Sequence, residues 1–228
     1  DQWPDLTEQG ILLRRLDTET LTMAIGGGSP VAVMWATYEL GERFGVRYLI
    51  DRDVYPPRRA WDNLPDLNVV MEPNLTIRCW RLVNDLPPGP VSWSLDENQR
   101  YLRQLAKMKF NRIHTFLWPA HPFVDYTFRG MPKPSPFLYF GFHFPIDKDT
   151  VGYEKLGEYH KHGEFTNPEL VGAKSKNELV QRGVGLVRGI HAEAHRLGMQ
   201  TQVSIEPFNW PKDFIKVIPN AQPARQLG

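Results

Sequence analysis

Apolar and polar positions over residues 1–72 predict strands around one helix. Ile11–Arg14 and Leu21–Ile25 are short apolar runs of strand character. Gly26, Gly27 and Gly28 break the chain, Ser29 is a natural N-cap, and Pro30 suits a first helical position. Val31, Met34, Trp35, Tyr38 and Phe44 recur at helical spacing, up to Gly45, where a helix would end. Val46–Ile50 predicts a strand, 51–62 a charged, proline-containing connection, and Asn68–Met71 an edge strand.

Beyond a boundary near Glu72–Asn74 the pattern becomes strand, loop, helix, repeated. Leu75–Trp80 predicts a strand, and a proline-rich loop leads to Ser94 and Glu97. That pair makes a capping box for a helix running to about Lys109. Arg112–Trp118 is the next strand. A connection of roughly fifty residues follows, against about 2–6 for an ordinary βα loop. Ser175 and Glu178 open a second helix, Gly198 closes it, and Met199–Ile205 is a third strand. Such alternation implies parallel strands with right-handed crossovers. Periodicity alone leaves a barrel and an open doubly wound sheet equally possible.

Composition narrows the setting more than the chemistry. The 228 residues suffice for one large or two small domains, and 41% hydrophobic with 23% charged residues is ordinary globular usage. A formal net charge of +1 gives no field that would select nucleic acid or an anionic membrane. No apolar run approaches the roughly 20 residues that span a bilayer. The single cysteine, Cys79, excludes an intrachain disulfide and leaves the compartment open; we expect a secreted or periplasmic setting over a cytoplasmic one. Cys79 itself reads as a buried strand residue. Twenty prolines and a 12% aromatic share predict long, shaped loops. No signal peptide is visible ahead of Asp1, and the residues after Trp210 read as loose. The expectation is therefore a segment of a longer protein, truncated at Gly228.

The stretch GGSPVAVMWATYELGERFGVRYLIDRDVYPP, from Gly27 to Pro57, resembles the noncatalytic N-terminal domain of β-hexosaminidases of glycoside hydrolase family 20. It is similar also to the equivalent domain of family 67 α-glucuronidases. PNLTIRCWRLVND and SLDENQRYLRQLAKMKFNRIHTFLW resemble the first barrel strand and helix of the same enzymes. Their leucine-alanine-x-x-lysine-x-asparagine-x-x-histidine pattern is present as Leu105, Ala106, Lys109, Asn111 and His114. AHRLGM followed by QVSIEPFNWP looks like a third barrel strand. Family 20 enzymes carry Pro-Glu-Ile-Asp-x-Pro-Gly-His there, a pattern that Ser204–Trp210 departs from. The resemblance implies a small N-terminal α/β sandwich domain over 1–72. Over 73–228 it implies the first three βα units of an incomplete TIM (β/α)8 barrel, with a long loop at about 119–174. The implied activity is hydrolysis of O-glycosidic bonds in an oligo- or polysaccharide, with catalytic carboxylates beyond this chain and no cofactor.

Glycoside hydrolysis needs a proton donor for the leaving oxygen and a carboxylate that stabilises or attacks the anomeric carbon. Barrels hold these groups at the C-terminal ends of strands. Glu206 has that placement and is the catalytic candidate in this chain; the alternative is a carboxylate that orients substrate or serves structure. By resemblance Arg78 binds sugar hydroxyls, its planar fork suiting vicinal oxygens; the alternative is a solvated arginine outside the barrel. Arg81, Asn84 and Asp85 open the first βα loop as further pocket candidates, and Asn209 and Trp210, just beyond the third strand, are substrate-binding candidates as well. His114 and Trp118 share one side of the second strand. An indole at that strand end can stack on a pyranose or simply pack, and His114 reads best as a hydrogen-bonded core histidine.

The long connection carries Phe123, Tyr126, Phe128, Phe137, Tyr139, Phe140, Phe142 and Phe144. Most should form a self-packed mini-core, with one or two rings meeting ligand. His191 and His195 flank a helical core stripe and lack the zinc-protease spacing. Gly26–Ser29 lacks the phosphate-binding signatures, so a tight turn is expected. The rival readings are a noncatalytic carbohydrate-binding relative and a metal-dependent barrel enzyme using loop histidines such as His160 and His162.

Overall fold

The computed structural model describes residues 3–16, 19, 22–58, 67–81, 87, 89–133, 136–156, 162–205 and 212–222. The chain is mixed α/β, as the alternation predicts. In order its elements are β1 (Ile11–Arg15), β2 (Met23–Gly27), α1 (Pro30–Arg43), β3 (Arg47–Tyr48), β4 (Asp53–Val54), β5 (Asn68–Met71) and β6 (Cys79–Arg81). Then come α2 (Leu95–Lys107), β7 (Arg112–Leu117), β8 (Thr127–Phe128), β9 (Met131–Pro132), α3 (Lys176–Arg196) and β10 (Gln200–Ile205). Two compact units divide the chain. The first holds Asp1–Trp80, Arg100–Ile113 and Ala194–Gln200, and the second Arg81–Gln99, His114–Glu193 and Thr201–Gly228.

In the first unit β1 is the centre of an antiparallel sheet, β2-β1-β5, with Leu13 opposite Ile25 on one side and Val69 on the other. Helix α1 starts as its sequence dictates: the Ser29 hydroxyl accepts the Ala32 N–H at 3.2 Å, and Pro30 needs no N–H of its own. Ile11 and Leu13 pack against Ala32, Trp35 and Ala36, with Val31, Met34, Leu40 and Val69 at the margin. Burying a side chain of this size stabilises by about 1.5–3 kcal/mol. The glycines do not break the chain at Gly26, because β2 continues through Gly27. A Cβ on Gly27 would sit 2.5 Å from the Val33 nitrogen, so only glycine lets strand and helix approach this closely. Gly45, at φ +91°, ends the helix where expected. The strand expected over Val46–Ile50 shrinks to β3, which turns at Leu49–Arg52 and pairs antiparallel with β4. The connection assigned to 51–62 thus begins as a second hairpin arm.

The second unit is organised by loops. Ser94 and Glu97 form the expected capping box: the Ser94 N–H donates to Glu97 Oε2 at 2.7 Å, and the Glu97 N–H to Ser94 Oγ at 3.2 Å. Glu169, from the long connection, accepts the Leu95 N–H at 2.9 Å and so adds a second carboxylate to the start of α2. Asn167, fully buried, donates to the Val91 and Trp93 carbonyls at 2.8 and 2.9 Å. The hydroxyls of Ser92 and Tyr139 meet at 2.5 Å. The connection is therefore fastened to the loop before α2. Within it, β8 and β9 form a hairpin turning at Arg129 and Gly130, whose positive φ values of 48° and 78° suit a tight two-residue turn. Tyr126 and Phe128 pack on the buried Phe214 ring at 5.8 and 5.4 Å.

A second three-stranded sheet has the order β10-β7-β6, so the three strands expected to be neighbours share one sheet. Their N-terminal ends lie together: the Asn111 N–H donates to the Arg78 carbonyl at 3.1 Å, and the Gln200 N–H to the Asn111 carbonyl at 2.9 Å. Arg112 meets Gln200 and, further along both strands, His114 meets Ser204. Contacts that advance together on two strands define parallel pairing. The described sheet is open, with β6 and β10 as its edges. The first strand is shorter than Leu75–Trp80 predicts. The Leu75 and Thr76 carbonyls accept side-chain donors from Arg78, Gln9 and Asn111 in place of strand neighbours. Cys79, expected to be buried, is exposed, because it lies on the edge strand and Trp80 takes the packed side, against Tyr101 and Phe110. Among the described residues no helix is long and apolar enough to cross a membrane.

Candidate functional site

Strand β7 sorts its side chains by parity. Ile113, Thr115 and Leu117 are buried, whereas Arg112, His114 and Phe116 are half-buried. Within the second unit Thr115 points to α3, its hydroxyl 3.1 Å from His191 Nε2. The opposite side carries the chemistry. His114 Nε2 lies 2.7 Å from Ser204 Oγ. The Arg81 guanidinium lies over the Phe116 ring, 5.1 Å from its centroid. Phe116 meets Trp118 edge to face at 5.3 Å. Arg81, His114, Phe116, Trp118 and Ser204 thus form one cluster of rings and hydrogen-bonding groups toward the C-terminal ends of parallel strands, where α/β sheets bind ligands.

Burial, with the Arg81 charge second, holds His114 below its ordinary pKa. The ring is therefore neutral at pH 7, with one nitrogen to donate and one to accept. Arg81 is exposed, and stacking on Phe116 holds its planar donors in one orientation without using them. Trp118 is half-buried, and its backbone N–H donates to His121 Nδ1 at 3.3 Å, which fixes the turn after β7. Ser204 escaped the sequence reading, which looked past it to Glu206. Its signal was the even spacing of Gln200, Gln202 and Ser204 along β10.

Arg78 belongs to a different place. Within the first unit its Nε donates to the Lys109 carbonyl at 2.6 Å, and its Nη1 to Gln9 Oε1 and the Leu75 carbonyl, each at 2.7 Å. Its guanidinium lies over the Trp35 ring at 4.8 Å. Those donors are occupied by protein at the N-terminal end of β6, so we assign Arg78 a structural role instead of the sugar contact that the resemblance implies. Lys109 and Asn111 serve the same junction. Lys109 Nζ lies 3.0 Å from Glu39 and 2.5 Å from Glu42 of α1, while the Asn111 side chain accepts the Arg78 N–H at 2.8 Å. Asp85, Asn84, Glu206, Asn209, Trp210 and His160 lie outside the described residues.

Of the loop aromatics, Phe123 and Tyr139 are buried and Tyr126 and Phe128 are packed, while Phe142 is 67% exposed. His143 and Glu164 pair at 3.1 Å on the surface. Among the described residues no group of three or more His, Cys, Asp and Glu side chains is arranged to hold a metal ion. Comparison with protein-family models, curated proteins and solved structures found no match to this chain.

Proposed function

We propose that this chain is the front part of a glycosidase-like enzyme acting on an oligo- or polysaccharide, and that Arg81, His114, Trp118 and Ser204 belong to its saccharide-binding surface. The observation that carries the reading is the cluster itself. An indole offers a flat apolar face to pyranose C–H groups, and a neutral imidazole, a hydroxyl and an oriented guanidinium supply the mixed donors and acceptors that sugar hydroxyls need. In this reading the β10-β7-β6 sheet is the first part of a TIM barrel. Parallel sheets are ordinarily covered on both faces, yet Val203 and Ile205 on the β10 edge are each 47% exposed. The proton donor and its partner carboxylate would come from strands further round the barrel, and Glu206, directly after β10, is the nearest candidate.

A noncatalytic carbohydrate-binding relative is the second reading, favoured by the absence of a carboxylate from the described cluster. Calorimetric titration with glucuronoxylan and chitin oligosaccharides tests the common part of both. Wild-type chain should bind, and Trp118→Ala should weaken binding at least tenfold with unchanged melting temperature. Equal binding by both proteins would remove Trp118 from the surface. Turnover of chromogenic glucuronides or hexosaminides by this chain alone would contradict the assignment of catalysis to later strands.

A further inference from the structure

The segment that follows β5 in the first unit reads Glu72-Pro73-Asn74-Leu75-Thr76-Ile77. Among the asparagines of the chain, Asn74 alone has a serine or threonine two residues on, with a residue other than proline between them. That spacing is the acceptor pattern for N-linked glycosylation. So short a pattern recurs by chance, and the local structure decides whether a transferase can use it. Asn74 and Thr76 are both exposed, and both lie in bends outside helix and strand. Among the described residues neither the Asn74 amide nor the Thr76 hydroxyl has a hydrogen-bond partner, so neither must be pulled from the protein to react. The backbone is nevertheless held. The Thr76 carbonyl accepts from Gln9 Nε2 at 2.9 Å and from Asn111 Nδ2 at 2.8 Å, which fixes the loop without using either side chain.

The neighbourhood also presents a surface that a bulky polar group would cover. Leu75 is 67% exposed and Ile77 52%, and Val70 and Met71 at the end of β5 are exposed too. Single exposed apolar residues need no explanation. Here they flank Asn74 on both sides, and the preceding strand β5 is an edge of the β2-β1-β5 sheet. Exposed apolar side chains beside a sheet edge favour association with another chain. A hydrated, branched oligosaccharide on Asn74 stands between such a chain and this edge.

We infer that Asn74 is an N-glycosylation acceptor, and that the glycan it carries shields the apolar residues beside β5. The donor class is an oligosaccharide joined through C1 of its first sugar to a polyprenyl diphosphate. The Asn74 Nδ2 nitrogen attacks that C1, forming a C–N bond. The C1–oxygen bond breaks, the polyprenyl diphosphate leaves with the bonding pair, and Nδ2 gives up one proton to a base of the transferase. No oxidation state changes. The inference does not depend on the saccharide surface, which belongs to the second unit.

The test is incubation of the folded whole chain with a single-subunit oligosaccharyltransferase and a polyprenyl-diphosphate-linked oligosaccharide, read by intact mass and peptide mapping. The expected result is one glycan per chain, at Asn74, added to the folded chain within about twofold of the rate for heat-denatured chain, since an exposed loop needs no unfolding. Asn74→Gln and Thr76→Ala should each abolish the mass shift with an unchanged melting temperature, and Thr76→Ser should restore it. The glycosylated chain should also bind less of a hydrophobic dye than the unmodified one. A glycan added only after denaturation, or none at Asn74, would overturn the acceptor assignment. Equal dye binding by the two forms would overturn the shielding role.

Discussion

Arg78 and Arg81 stand three residues apart and meet opposite fates. Arg78 has protein carbonyls and Gln9 around its guanidinium, whereas the exposed Arg81 rests on Phe116. Arg78→Ala should therefore lower stability by roughly 1.5–3 kcal/mol, the range for hydrogen bonds to a charged group, and leave sugar binding intact. Arg81→Ala should do the reverse; thermal melts paired with titrations read both. His114 gives a pH signature. Its folded pKa lies below its unfolded one, so above about pH 6.5 the ring is neutral in both states and adds no slope. As pH falls below that value the unfolded chain takes up a proton that the folded chain resists, and stability declines until the folded pKa is passed. His114→Gln should flatten that limb of a stability-against-pH curve; an unchanged limb would show that another group produces it. At this scale the sequence was legible where one residue answers one local demand, as with Ser29, Gly45 and the Ser94–Glu97 pair. It misled where partners come from far along the chain. Nothing near Arg78 announces Gln9 or Lys109, and nothing near His114 announces Ser204.

The elements hold their positions through a few side-chain ties. Helix α2 is capped from within by Ser94 and Glu97 and from the long connection by Glu169. Ser94→Ala should cost about 1 kcal/mol, as an N-cap does. Asn167 is the larger tie, since its removal takes the amide donor from the buried Val91 carbonyl and leaves the Trp93 carbonyl to the Asn98 side chain. Asn167→Ala should cost roughly 2–4 kcal/mol by chemical denaturation. A loss below half of that would mean water replaces the amide. Strand and helix types followed from periodicity, but the ends of β3 and β6 did not. There side-chain donors and a tight turn, which apolar pattern does not encode, take over the backbone.

For the whole molecule the informative feature is a parallel sheet whose β10 edge carries exposed apolar side chains among the described residues. Val203 and Ile205 stay exposed on β10, and an edge strand presenting apolar side chains invites pairing. Val203→Lys should reduce concentration-dependent self-association in sedimentation velocity, and an unchanged profile would mean that the edge is already protected. Alternation of strand and helix announced this sheet, and the family 20 and family 67 resemblance supplied the barrel reading. The proposed saccharide surface was half legible: Arg81 and Trp118 came from strand ends and His114 from the side of the second strand it shares with Trp118, while Ser204 and Phe116 needed coordinates.

The most direct measurement is a nuclear magnetic resonance titration of the isotope-labelled chain with glucuronoxylan and chitin oligosaccharides. Our account predicts saturable shifts at the Trp118 indole, the His114 ring and the Arg81 side chain, with Trp3 and Trp35 unmoved. Shifts confined to residues of the first unit, or none at millimolar sugar, would contradict it.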